Sequence, residues 1–191
     1  MSRFVLAGAG PGLLSKESIE LMRRYETIGV NTTVKYPEIR PLLNHWITCD
    51  GRMVTPGNDH YIGDFIADGE FDKYVLWAKQ WSDYGKDIHR LKWFKNSRQA
   101  PFGGYPDKPL TLGFNNTVMT GAVSLAKHLG ATECILVGSD YIGVNKADGS
   151  LSDDDMKVAM KYAEEAFKDS GLKVYKTNPK SALSLEVFVE N

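Results

Sequence analysis

The sequence has little of several features that would assign it to a class at once. Only two of its 191 residues are cysteines, Cys49 and Cys134, and neither has histidine or cysteine neighbours at metal-ligand spacing. This indicates neither a zinc site nor a disulfide framework, and we expect two buried thiols in a reducing compartment. No apolar run approaches the roughly 18 residues of a membrane span, and the first apolar run is too short for a signal peptide. We therefore expect a soluble, cytoplasmic protein.

Excess charge of one sign is also missing. The 23 Lys and Arg residues face 24 Asp and Glu residues, for a formal net charge of −1. A protein that holds nucleic acid by charge alone is expected to carry a strong basic excess. The length and an apolar content of 42% are enough for one domain with a substantial core.

Short apolar runs alternate with amphipathic segments, a pattern typical of parallel strands joined by crossover helices. The predicted strands are 4–7, 27–31, 46–50, 134–138 and 173–175. The predicted helices follow Ser15 and cover 121–129 and 153–168. We therefore expect one α/β domain, with a mainly parallel sheet and helices on both faces. Between 55 and 110, frequent proline and glycine interrupt the pattern and predict an irregular insertion that carries specificity.

The ends of the predicted strands carry the candidate binding residues, because ligands of open parallel sheets bind beyond the carboxyl ends of the strands. The first strand ends in Gly8-Ala9-Gly10-Pro11-Gly12, whose backbone N–H groups could approach a phosphate at the next helix. Residue 13 is leucine, which departs from the dinucleotide fingerprint, so a tight turn without a ligand explains the loop equally well. Asn31 and Asp50 end the next two strands and either bond a base or ribose or cap loops.

Three side chains are candidates for acid–base chemistry. Asp140 follows a fully apolar strand, so its carboxylate must face a cleft or find a partner. His60 and His89 lie in the segment 55–110 and are the imidazoles best placed for proton transfer.

The most basic stretch of the chain alternates with aromatic residues. It either contacts nucleic-acid phosphates or forms the solvated face of a helix. Its basic residues are Lys86, Arg90, Lys92, Lys95 and Arg98.

Three segments together resemble a known family. They are Gly-Ala-Gly-Pro-Gly-Leu at 8–13, Gly-Val-Asn at 29–31 and Leu-Gly-Ala-Thr-Glu-Cys-Ile-Leu-Val-Gly-Ser-Asp-Tyr at 129–141. They are similar to the bacterial sialyltransferases of glycosyltransferase family 42, to related phage-encoded proteins and to the wider group that includes archaeal pterin diphosphokinases. The family motifs are Gly-Asn-Gly-Pro-Ser-Leu, a strand-end Asn and Leu-Gly-x-x-x-Ile-x-Leu-x-Gly-x-Asp.

The resemblance implies a Rossmann-like domain that binds a nucleotide, as part of a nucleotide sugar, without a metal. Gly8, Ala9 and Gly10 would then line the nucleotide, Asn31 would contact its base or ribose, and Asp50 would replace a second polar residue at a strand end. The stretch Asn115, Asn116 and Thr117 would approach the phosphate. The segment 142–152 lacks the family's catalytic histidine and its tyrosine pair, which leaves Tyr141 as a nucleotide contact and Lys146 as the cation.

The function expected from this resemblance is glycosyl transfer from a nucleotide sugar to an unknown acceptor. A base, which would be Asp140, His60 or Asp50, would deprotonate the acceptor, while Lys146 or the glycine loop would stabilise the leaving phosphate. A modified base in phage DNA is one candidate acceptor. The basic stretch would then contact that DNA, and the protein would act in the host cytoplasm. One alternative is a pterin-diphosphokinase-like enzyme with Mg²⁺ on Asp50 and Asp140. Another is a nucleotide-binding protein without catalytic activity.

Overall fold

A computed structural model describes residues 2–67, 69–76, 91–97, 101–104, 111–113, 117–141 and 153–190. The strands in these ranges are β1 (Arg3–Ala7), β2 (Glu26–Val30), β3 (His45–Thr48), β4 (Asp72–Leu76), β5 (Leu91–Ser97), β6 (Thr111–Gly113), β7 (Glu133–Val137), β8 (Lys173–Lys176) and β9 (Glu186–Val187). The α-helices are α1 (Lys16–Arg24), α2 (Gly63–Ala67), α3 (Val118–His128) and α4 (Asp153–Ser170).

The strands of the described ranges form one sheet in the order β6-β5-β4-β3-β2-β1-β7-β8-β9, and every neighbouring pair is parallel. The order runs outward from β1 to β6 and then returns to the other side of β1. The pairing of β1 with β7 is in register from Arg3 with Glu133 to Ala7 with Val137. This is the doubly wound arrangement of a Rossmann-like fold, as the sequence pattern predicts.

Two apolar cores cover the two faces of the sheet. Residues alternate along β1, so Phe4 and Leu6 pack into the core under α3 and α4. Val5 and Ala7 pack into the opposite core, which includes Leu21 of α1 and residues of the 3₁₀ turns after β2 and β3. Helical structure therefore lies on both faces, which confirms the predicted layering. Within the described ranges, no helix is both long and apolar enough to cross a lipid bilayer.

Local signals place the helix ends as predicted. The Ser15 side chain accepts a hydrogen bond from the Ser18 N–H, so it caps α1 and satisfies a donor of the first turn. Helix α3 ends just before Gly130, and α4 extends to Ser170, directly before Gly171.

The segment 55–110 contains more regular structure than its composition predicts. It supplies α2 and the sheet strands β4 and β5. The helical interpretation of the basic stretch is wrong for Leu91–Ser97, which is strand β5 and pairs with β4. Both strands carry charged residues inside an otherwise apolar run, including the buried Lys73, and this hides the strand signal in the sequence.

The two cysteines are free thiols; Cys134 is buried and Cys49 is partly buried. Burial raises the pKa of Cys134 to about 12, because the apolar core disfavours the thiolate. Since the thiolate is the reactive form, we expect iodoacetamide at pH 8 to leave Cys134 unmodified in the folded protein and to alkylate it in urea. Mass spectrometry of the two samples measures this difference. Equal labelling of folded and unfolded protein would contradict the placement of Cys134 in β7.

Candidate functional site at the carboxyl ends of β1, β2 and β3

The direction of strand order reverses between β1 and β7, and crevices at such switch points bind the ligands of open α/β sheets. Two connections meet here: residues 8–12 follow β1, and residues 138–141 follow β7. The structure thus brings Gly8, Gly10 and Asp140 together, as their positions at strand ends predict.

The glycine loop packs directly against the chain that leaves β7. The Gly8 N–H donates to the Val137 carbonyl at 2.8 Å, and the Gly10 N–H donates to the Gly138 carbonyl at 2.7 Å. A Cβ on Gly8 would lie 2.5 Å from the Gly138 oxygen, closer than any real contact. Glycine is therefore needed for backbone packing, and these two N–H groups are already bonded within the protein rather than presented to a phosphate.

One loop N–H remains open to a ligand. Gly12 donates to Asp140 Oδ2 at 3.3 Å, and Pro11 has no N–H. Ala9 is exposed, and its N–H has no acceptor within the described part of the chain. The loop therefore offers a single donor from Ala9, not the cradle of several donors that a phosphate-binding loop supplies.

Asp140 connects three segments of the chain. Its side chain accepts hydrogen bonds from the Gly12 N–H at 3.3 Å and from Asn178 Nδ2 at 3.0 Å. Its carbonyl accepts from Ser181 Oγ at 3.1 Å and from the Ala182 N–H at 3.0 Å. The residue is only 6% exposed. The sequence predicts that this carboxylate either faces a cleft or has a partner. In the structure it has partners, and both of its oxygens accept hydrogen bonds.

Tyr141 follows Asp140 with a backbone φ of 51°, in the left-handed region that bulky residues rarely adopt. Its ring packs against the core beneath α3 and α4. Burial raises the pKa of its hydroxyl to about 12, so the phenol stays protonated at neutral pH. Tyr141 is therefore a neutral residue next to Asp140.

Asn31 is held firmly at the end of β2. Its φ of 47° is left-handed, a conformation that asparagine tolerates better than most residues. The indole N–H of the fully buried Trp46 donates to its carbonyl at 2.7 Å, and Thr48 Oγ1 donates to its side-chain oxygen at 3.0 Å. These bonds occupy both of its oxygens. The side-chain NH₂ group has no acceptor among the described residues, so it is a fixed donor one strand away from Ala9.

Asp50 follows β3 and is neutralised by Arg52. The carboxylate receives the Arg52 backbone N–H and a two-pronged contact from its guanidinium, with Nη2 to Oδ2 at 2.6 Å. Partial burial alone would raise the pKa of Asp50, but the hydrogen bonds from Arg52 outweigh it and the pKa is lowered, with a further contribution from the charge of His60. A carboxylate with a lowered pKa is a poor general base. His60 is exposed, and its charge acts on Asp50.

Asp50 and Asp140, the pair predicted to share a magnesium ion, follow strands that are not neighbours in the sheet. They follow β3 and β7, which are separated by β2 and β1. Three steps of about 4.8 Å put about 14 Å of sheet between them, whereas Mg²⁺ takes oxygen ligands at about 2.1 Å. The described ranges contain no group of three His, Cys, Asp or Glu side chains that could hold a metal ion. The phosphotransfer alternative, which needs both carboxylates on one ion, stays a prediction.

The remaining predicted contacts divide into described and undescribed residues. Thr117 caps α3, with its side chain accepting from the Thr120 N–H at 3.4 Å.

The predicted basic stretch is described only in part. On strand β5, Lys92 and Lys95 are three positions apart and so point to opposite faces of the sheet. Lys92 also pairs with Asp72 at 2.6 Å. They do not form one basic track. The predictions that lie outside the described residues concern His89, Asn115, Asn116, Lys146, Lys86, Arg90 and Arg98.

The structure also brings in residues that the sequence analysis missed. Arg52 and Asn178 contact the two carboxylates, and Trp46 and Thr48 orient Asn31. A signal existed only for Arg52, which lies two residues after a carboxylate at a strand end.

Fold and strand-end geometry together define a Rossmann-like α/β protein with hydrogen-bond donors at the carboxyl ends of its strands. No protein-family model, curated protein or solved structure matches the chain. The resemblance to glycosyltransferase family 42 therefore stays a prediction from the motifs.

Proposed function

We propose that the chain binds the nucleotide part of a nucleotide sugar across the carboxyl ends of β1, β2 and β3. The observation that carries this proposal is the pair of donors on adjacent strands, the Ala9 N–H and the Asn31 amide. Both nearby carboxylates are already bonded, Asp50 by Arg52 and Asp140 by Gly12 and Asn178. A surface that presents donors and hides its carboxylates suits an acceptor-rich, anionic ligand such as a nucleotide.

The chemistry that we propose for this site is direct displacement at the anomeric carbon. The acceptor hydroxyl loses its proton to a base, its oxygen bonds to the anomeric carbon, and the bond from that carbon to the phosphate oxygen breaks. The nucleoside phosphate leaves with the bonding electrons. We assign His60 as the base. Asp50 has a lowered pKa, and Asp140 is buried with both carboxylate oxygens hydrogen-bonded within the protein. Lys146 stays our proposal for the cation at the leaving group.

A second candidate is a nucleotide-binding protein without turnover. The observation that favours it is the engagement of both Asp140 carboxylate oxygens within the protein, since this removes one of the predicted bases. Both candidates share the same binding site. Release of nucleoside phosphate from a panel of nucleotide sugars distinguishes them.

Variants of Asn31 test the binding site. Asn31→Gly keeps the left-handed backbone at φ 47° and removes the donor, so we expect about 10-fold weaker nucleotide binding. It also removes the acceptor of the buried Thr48 hydroxyl, so the free energy of unfolding should fall by about 1–2 kcal/mol. Asn31→Asp keeps the acceptor for Thr48 but puts a negative charge where the donor was, so it should weaken binding by about 100-fold. Isothermal titration with nucleoside monophosphates in EDTA measures both.

The order of the two variants is the informative result. Like-charge repulsion makes the aspartate variant the weaker binder only if an anionic group lies near residue 31. Tighter binding by Asn31→Asp than by Asn31→Gly would contradict a nucleotide phosphate in this crevice. Unchanged affinity in both variants would move the ligand away from β2.

A further inference from the structure

The pair of Asp50 and Arg52 is arranged so that the guanidinium keeps donors for a ligand. Arg52 Nε lies 2.9 Å and 3.1 Å from the two Asp50 oxygens, and Nη2 lies 2.6 Å from Oδ2. Both N–H groups of Nη1 and one of Nη2 have no acceptor within the described ranges. The Arg52 side chain is 53% exposed. One edge of the guanidinium is therefore fixed by the carboxylate, and the other edge faces outward.

Arg52 and Asn31 belong to one hydrogen-bonded frame. Thr48 Oγ1 donates to Asn31 Oδ1 at 3.0 Å and accepts from the Asp50 N–H at 3.1 Å. The ends of β2 and β3 are thus connected through a single buried hydroxyl. Asp50 in turn orients Arg52, so the guanidinium has a defined position relative to the Asn31 amide.

We propose that Arg52 binds the phosphate of the nucleotide and that Asp50 is its positioning residue. This inference rests on the proposed function and names a ligand contact within that site. A phosphate at the strand ends needs strong donors, but the N–H groups of Gly8, Gly10 and Gly12 are bonded inside the protein. The outer edge of a guanidinium supplies two parallel N–H groups that match two phosphate oxygens.

Lys180 is a competing cation at the same end of the sheet. Its backbone N–H donates to Asn178 Oδ1 at 2.9 Å, which places it on the β7 side of the crevice beside Asp140. Lys180 is exposed, and no described residue holds its ammonium group. A preorganised guanidinium loses less conformational entropy on binding than such a lysine, so we favour Arg52 as the phosphate contact.

The experiment measures how much the phosphate contributes to binding. Dissociation constants are measured for cytidine, uridine, adenosine and guanosine and for their 5′-monophosphates. For the pair that binds best, the ratio is the dissociation constant of the nucleoside divided by that of the monophosphate. In Arg52→Gln we expect the monophosphate to bind about 10- to 100-fold more weakly and the nucleoside to bind as in the unchanged chain. Asp50→Asn keeps the Arg52 charge but loosens its position, so the ratio should fall by a smaller factor. Arg23→Gln, an exposed arginine on α1, is the matched control for loss of one positive charge.

Each outcome decides between the assignments. A ratio that falls in Arg52→Gln and is retained in Lys180→Gln and Arg23→Gln supports Arg52 as the phosphate contact. A ratio that falls instead in Lys180→Gln overturns the assignment and moves the phosphate to the β7 side, while nucleotide binding itself stands. Equal loss of nucleoside and monophosphate affinity in Arg52→Gln also overturns it. If the unchanged chain binds neither ligand, the proposed function fails together with this inference.

Discussion

Replacing Gly138 by alanine is expected to lower the free energy of unfolding by about 2–5 kcal/mol. Its φ of +59° lies in the left-handed region, which costs an alanine about 1–2 kcal/mol. The new Cβ would also lie 2.3 Å from the Gly8 carbonyl oxygen, and overpacking of this kind costs about 1–3 kcal/mol. The oxygen belongs to the backbone, so relief requires the β1 and β7 connections to separate. Urea unfolding followed by circular dichroism measures the loss.

Gly130 provides the matched control for this substitution. Its φ of +91° is also positive, but a Cβ there would meet no atom within 4 Å. Gly130→Ala should therefore show only the conformational part, about 1–2 kcal/mol. Equal losses in the two variants would mean that the glycine loop does not pack on the β7 connection as closely as described.

Replacing Asp140 by alanine is expected to cost about 2–4 kcal/mol of stability, because two partly buried donors lose their acceptor. The Gly12 N–H and the Asn178 amide would each be left without a partner, at about 1–2 kcal/mol for each partly buried group. Asp140→Asn keeps the shape and one acceptor oxygen, so about 1–2 kcal/mol is expected. Thermal unfolding of both variants measures these values.

The Asp140 variants also separate a structural from a catalytic role. If the residue acts only as a connection, Asn178→Ala should reproduce part of the loss, and the double variant should lose less than the sum of the two. Donor turnover per folded molecule should then be retained in Asp140→Asn. A stable Asp140→Asn protein with about 100-fold lower turnover would instead return Asp140 to the mechanism as the base.

The fold follows from the sequence wherever a strand is apolar throughout and a local signal ends the next helix. The runs at 4–7 and 134–138 and the cap at Ser15 are of this kind, and the structure confirms them. Strands β4 and β5 were not predicted, since Lys73 and Lys92 interrupt their patterns. Lys73 donates to the Gly69 carbonyl, and Lys92 pairs with Asp72. Such partners are tertiary contacts that a sequence pattern does not contain.

The site is predictable in position but only partly in chemistry. The sequence predicts that Asn31, Asp50 and Asp140 follow the carboxyl ends of strands, and they do so in the structure. The sequence does not show that Asn178, 38 positions after Asp140, occupies its carboxylate, nor that the glycine N–H groups donate to β7. Both facts depend on which strand lies next to β1.

We expect a nucleotide to bind without metal at the carboxyl ends of β1, β2 and β3. A ¹H–¹⁵N correlation spectrum of the labelled chain, recorded in EDTA during titration with the nucleoside monophosphates, tests it directly. We expect the largest shifts at the Ala9 amide, the Asn31 side-chain amide and Arg52 Nε, with saturation at one equivalent bound. Absence of any shift at millimolar nucleotide would contradict the account. Shifts confined to the cavity at the amino ends of β2 and β3, which is lined by Glu26, His45 and Phe71, would also contradict it.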